Sequence, residues 1–116
     1  MATGVMIVED EAVVALDMTH ELESAGYSVV CHVTSGEEAV AKALELKPDV
    51  ILMDITIQGH IDGISAAQQI ADKSRIPFVF VTAHADEATL QRAKLTRPYG
   101  YILKPFEPNE IGRAHV

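Results

Sequence analysis

The chain has 116 residues, 48% of them hydrophobic, which is enough for one compact core and too few for a second domain. Nine Lys and Arg against 17 Asp and Glu leave a formal charge of -8 with no basic stripe, which argues against direct nucleic-acid binding. Cys31 stands alone, which excludes a disulfide framework and reads as a buried core thiol in a reducing compartment; no basic leader or membrane-length apolar run is present, so a soluble cytoplasmic domain is expected.

Short apolar runs alternate with stretches of helical period along the chain. Val5–Val8 predicts a first strand, buried on both faces, and Glu9 and Asp10 close it. Ala12, Leu16, Thr19 and Leu22 share a helical face, with Gly26 where a C-cap is expected. A second strand follows over Ser28–His32. Ser35 and Glu38 form a capping-box pattern ahead of Ala39, Ala43 and Leu46, and Pro48 stops that helix. The apolar run Val50–Met53 predicts a third strand that ends on Asp54. Ile64, Ala67, Ile70 and Ala71 mark a third helix after Asp62 and Gly63. Phe78–Thr82 predicts the fourth strand, Asp86 to Leu95 a weaker, thinly packed fourth helix, and Tyr99–Leu103 the fifth strand, followed at once by Lys104. Glu107 and Pro108 suit the opening of a fifth helix, which has only Asn109 to about Ala114 and so runs under two turns. The pattern predicts an α/β fold, a doubly wound five-stranded parallel sheet with helices on both faces and a short last helix. Repeats, low-complexity tracts and linkers are absent.

In open parallel sheets, ligands bind beyond the carboxyl ends of the strands, at the crevice where the strand order reverses. In the order 2-1-3-4-5, the first and third strands flank that crevice, which gathers Glu9, Asp10 and Asp54. At an effective dielectric of about 20, each like-charged pair near 5 Å repels by roughly 3 kcal/mol, so such a cluster needs a cation. An all-oxygen donor set suits Mg²⁺, with the backbone carbonyl of Thr56 as a further ligand. Together with Lys104, Mg²⁺ formally neutralises the three carboxylates, so the pocket can accept a phosphoryl group carrying close to two negative charges. Thr82 adds a hydroxyl at the same rim, and Asp54 is the natural nucleophile.

Taken singly, these residues have plainer readings. An Asp at a strand end is commonly a turn-former, acids after a first strand suit a helix N-terminus, and lysines are mostly solvated. Glu11 fits the helix-dipole role alone. The five histidines show no metal-ligand spacing and suit surface or loop positions; His84 alone lies near the site. Gly63-Ile64-Ser65 only faintly echoes a nucleophile elbow, and no glycine-rich phosphate loop follows the first strand.

Acids after the first strand, Asp54 after the third, Val81-Thr82-Ala83 after the fourth and Lys104-Pro105-Phe106 after the fifth occur together and in order, with Asp62-Gly63 and Tyr101 in place. From Val5 to Ile111 the chain resembles the receiver domain of two-component response regulators, whose fold is the flavodoxin-like 2-1-3-4-5 sheet. The resemblance implies a single receiver domain over residues 4–114, and the short last helix leads to the expectation that it is excised from a longer protein. It also implies Asp54 as phosphoacceptor, Glu9 and Asp10 as the acidic pair around Mg²⁺, Lys104 as phosphoryl-binding lysine and Thr82 with Tyr101 as a switch pair. Thr56 and His84 take positions that tune dephosphorylation, and Pro105 follows a cis bond in many members. The implied partners are a sensor histidine kinase or phosphotransfer domain, an output domain or partner protein, and a second copy through the fourth helix, fifth strand and fifth helix. A signalling phosphoacceptor is expected rather than a turnover enzyme. One alternative is a Mg²⁺-dependent aspartyl-phosphate phosphatase, although Asp54-Ile55-Thr56 lacks that family's second acid. The other is a phosphorylation-independent interaction module. The chain departs from the pattern over Ile55–Ile61, which lacks the family's usual proline and is one residue longer before Asp62-Gly63.

Overall fold

The computed structural model describes residues 2–82 and 86–103. Five strands, β1 (Gly4–Val8), β2 (Ser28–Val33), β3 (Val50–Asp54), β4 (Phe78–Thr82) and β5 (Gly100–Leu103), form one parallel sheet in the order β2-β1-β3-β4-β5. Four helices connect them: α1 (Ala12–Ser24), α2 (Gly36–Leu46), α3 (Gly63–Lys73) and α4 (Glu87–Leu95). The fifth helix expected after Glu107 lies outside the described residues.

Every residue of β1, β3 and β4 is buried, as unbroken apolar runs demand when helices cover both faces of a sheet. On one face Met6, Val8, Ile51, Met53, Phe78 and Phe80 pack with Ala39 and Ala43 of α2, Ile64, Ala67 and Ile70 of α3, and Ala93 of α4. On the other, Val5, Ile7, Leu52, Val79, Val81 and Ile102 pack with Met18 and Leu22 of α1. β2 is one of the two edge strands and alternates in exposure, with its register to β1 shifted between Val5 and Met6.

The second helix follows its sequence pattern: Ser35 Oγ accepts from the Glu38 backbone N–H, and α2 ends at Lys47, whose left-handed φ of 49° precedes Pro48. Asp62 and Asp86 cap α3 and α4 in the same manner, accepting from the N–H groups of Ser65 and Thr89. As expected, α4 is thinly packed, burying only Ala93 along its length.

Three expectations need correcting. The buried face of α1 is Ala15, Met18 and Leu22, whereas Leu16 is 71% exposed and Ala12 is also exposed. The run Val13-Val14-Ala15-Leu16 is apolar on every side, so its period does not single out a face, and contact with the sheet decides it. Cys31 is half-buried on the edge strand rather than a core thiol, since β2 has one neighbouring strand and only partial cover. Finally, β5 begins at Gly100; Tyr99 precedes it, its N–H bonded to the Phe78 carbonyl and its side chain exposed.

Candidate functional site

β1 and β3 are adjacent and in register, so their carboxyl ends deliver their acids to the same rim. Glu9 is fully buried, Asp54 is 7% exposed and Asp10 is partly exposed. One carboxylate oxygen from each of Glu9, Asp10 and Asp54 lies within 4.8 Å of the others. Mutual repulsion at that range costs several kcal/mol when all three are ionised, which a bound cation removes. The donors are all hard oxygens at the carboxyl ends of two strands, and they fit a small divalent cation.

The surroundings hold these side chains in place. Glu9 is fixed through its backbone, its N–H donating to the Val33 carbonyl at 3.0 Å and its carbonyl accepting from His32 Nε2 at 2.8 Å. Its Oε2 accepts the Glu11 N–H at 3.1 Å. Asp54 Oδ1 accepts the Thr56 N–H at 3.2 Å, so Thr56 turns immediately beside the acid, with its side chain exposed. Gly63, first residue of α3, packs directly on the Asp54 carbonyl and donates its N–H to Ile55 O at 2.8 Å.

Thr82 ends β4, 3% exposed, one residue beyond Val81, the partner of Asp54 in the β3–β4 ladder. Tyr101 pairs with Phe80 across β4 and β5, their rings stacked with centroids 6.2 Å apart, and it is 36% exposed. Partial burial of the ring pushes its hydroxyl pKa above the ordinary tyrosine value. Glu9, Asp10, Asp54, Thr56 and Thr82 thus share one end of the sheet, while Tyr101 sits one strand further out. Lys104, Pro105, Phe106 and His84 lie outside the described residues.

A family profile for the response regulator receiver domain matches residues 5–115. The chain belongs to the receiver domain family. Among curated relatives, this receiver is 36% identical over 107 residues to the transcriptional regulatory protein PdtaR of Mycobacterium tuberculosis, covering 92% of this chain and 52% of that protein. It is 34% identical to the chemotaxis protein CheY of Thermotoga maritima, covering 98% of this chain and 95% of CheY. The receiver superimposes on the signal receiver domain of a modulated diguanylate cyclase from Desulfovibrio desulfuricans G20 with a TM-score of 0.91 at 39% identity, over 99% of this chain and 91% of that one. The chain therefore spans about half the length of PdtaR and nearly all of CheY. Among the described residues no helix of the receiver is long and apolar enough to cross a membrane.

Three features of the receiver escaped the sequence reading. His32 reaches from the edge strand to the Glu9 backbone, a contact created by strand pairing alone. Glu37 Oε1 accepts the N–H groups of His60 and Ile61 at 2.7 and 3.1 Å, tying the loop after Asp54 to the start of α2. Arg92 of α4 pairs with Asp62 Oδ2 at 3.0 Å, joining α4 to the cap of α3. In sequence Glu37 and Arg92 look like ordinary helix-surface charges, and nothing in their spacing distinguishes them.

Proposed function

We propose that this receiver is a phosphoacceptor in a two-component phosphorelay, with Asp54 as the residue modified. The reading is carried by the gathering of Glu9, Asp10 and Asp54 within 4.8 Å at the strand ends of a receiver fold. A carboxylate oxygen of Asp54 attacks the phosphorus of a histidine-kinase phosphohistidine. An O–P bond forms, the P–N bond breaks, and the imidazole leaves with the electron pair, to be protonated from solvent. Glu9, Asp10 and Asp54, with the Thr56 carbonyl, would hold Mg²⁺, which when bound neutralises charge on the transferring phosphoryl oxygens. Lys104, next in sequence after β5, supplies a second positive charge. Thr82 and Tyr101 form the switch pair, and Thr56 and His84 tune the lifetime of the aspartyl phosphate.

The partners are a cytoplasmic sensor kinase or phosphotransfer domain upstream, and downstream an output domain or protein that reads the surface of α4 and β5, through which a second copy can also dock. The receiver acts as a transient carrier rather than a turnover catalyst. Incubation with acetyl phosphate and Mg²⁺ followed by intact-mass measurement should show one added phosphoryl group on the wild type and none on Asp54→Asn. Sustained release of phosphate far beyond one equivalent would instead make the protein a phosphatase. A wild type that never gains the group, even from a cognate kinase, would make it a phosphorylation-independent module.

A further inference from the structure

The loop joining β3 to α3, residues 55–62, is one residue longer than the receiver pattern and carries no proline to stiffen it. It is nevertheless held at both ends and in its middle. Near its start, the Thr56 N–H bonds to Asp54 Oδ1, and the Ile55 carbonyl accepts from Gly63. In its middle, Gln58 forms an isolated parallel bridge with Ser35, and its carbonyl accepts the Gly36 N–H at 3.4 Å. Next along, one oxygen of Glu37 receives both the His60 and Ile61 N–H groups. The other oxygen lies directly against Gly59, whose φ of +107° and missing side chain allow the approach. Ile61 in turn covers Gly36, where an added Cβ would sit 2.6 Å from its Cγ1.

Two adjacent N–H groups converging on one carboxylate oxygen form a small anion-binding nest, here filled from within the chain. Bonds to an ionised acceptor are stronger than neutral ones. Within the loop, Ile55 is buried in the core and Ile57 and Ile61 pack partly against it, while Thr56, Gln58, Gly59 and His60 are exposed. The Glu37 carboxylate is therefore the main polar tie between the middle of this loop and the rigid body of α2.

We propose that Glu37 is a positioning residue for the phosphoacceptor site: by clamping Gly59, His60 and Ile61 to the start of α2, it holds the residues after Asp54 ready for the cation and the phosphodonor. This rests on the phosphoacceptor reading of Asp54. Glu37 works through the loop backbone and touches neither metal nor phosphoryl group. Without the clamp, residues 56–61 sample several conformations, and the Thr56 carbonyl has to be ordered each time a cation binds, which weakens binding.

The test compares wild type, Glu37→Ala, Glu37→Gln and Gly59→Ala. In metal-free protein, amide exchange at His60 and Ile61 should speed up by roughly tenfold in Glu37→Ala, as befits loss of bonds to a charged acceptor. Mg²⁺ affinity, followed by amide shift titration, should fall about threefold to tenfold, at or below the low end for residues that orient metal ligands. Phosphorylation by acetyl phosphate at subsaturating Mg²⁺ should slow in step. Glu37→Gln keeps one oxygen that can accept both N–H groups and should restore most of the loss, while Gly59→Ala, which displaces the carboxylate, should resemble Glu37→Ala. Unchanged exchange and Mg²⁺ affinity in Glu37→Ala, beside a wild type that is phosphorylated, would overturn the clamp alone. Wild-type exchange at His60 and Ile61 in Glu37→Gln, with a Mg²⁺ affinity loss equal to that of Glu37→Ala, would overturn it too, by assigning the effect to charge rather than to loop position. A wild type that resists phosphorylation would overturn the reading of Asp54 and leave the exchange result to judge the clamp.

Discussion

Gly63 shows how closely a single residue can be bound to the chemistry beside it. An added Cβ would run into the Asp54 carbonyl oxygen and come within 2.9 Å of Ile55 Cα, both backbone positions with no rotamer to yield. Gly63→Ala must therefore push α3 away from the end of β3. A cost of about 2–4 kcal/mol is expected, at the upper end for overpacking because the obstacle is main chain. Urea denaturation of the variant should show the midpoint falling without a change in slope. The Asp62-Gly63 pair was visible in the sequence as part of a receiver pattern, but the reason for the glycine was not. It depends on a contact between residues nine positions apart, closed only when β3 and α3 pack.

At the scale of elements, α4 buries Ala93, with Thr96 buried at its end, and Arg92 pairs it with Asp62. Asp62 serves two purposes there: Oδ1 caps α3 through the Ser65 N–H, and Oδ2 pairs with Arg92. Partial burial raises its pKa, but the Ser65 N–H and the Arg92 guanidinium together outweigh this and hold the carboxyl below its ordinary value of 3.8. A depressed folded-state pKa means that the stabilisation is fully present above about pH 4 and is lost as pH falls through the lower folded value. Both side chains are substantially exposed, so Arg92→Ala should cost only about 0.5 kcal/mol. Asp62→Ala, which also removes the cap, should cost about 1–2 kcal/mol. Urea unfolding at pH 7 and again near pH 3 checks this, with the gap between wild type and Asp62→Ala shrinking at the lower pH.

For the whole molecule, the governing quantity is charge. A net charge of -8 on 116 residues disfavours compaction, and three of the acids are concentrated at one rim. A divalent cation that binds only the folded state stabilises it by about 1.4 kcal/mol for each tenfold excess over its Kd. Adding millimolar Mg²⁺ should therefore raise the melting temperature, and a chelator should reverse the gain. The increase should be much reduced in Asp10→Asn. An Asp10→Asn melting response equal to that of the wild type would remove Asp10 from the cation site.

The sequence by itself determined the alternation of elements, the strands β1, β3 and β4, the cap of α2 and the acids at the strand ends. Those signals are local: unbroken apolar runs, Ser35 three residues before Glu38, and acids closing the runs. The tertiary structure decided which face of α1 is buried, because Val13 to Leu16 is apolar all round and only contact with the sheet breaks the tie. It decided that Cys31 lies half-covered, because edge position is a property of the sheet rather than of β2. It also decided that Glu37 closes over His60 and Ile61, since a carboxylate on a helix surface acquires a backbone partner more than twenty positions away only after β1 has paired with both β2 and β3.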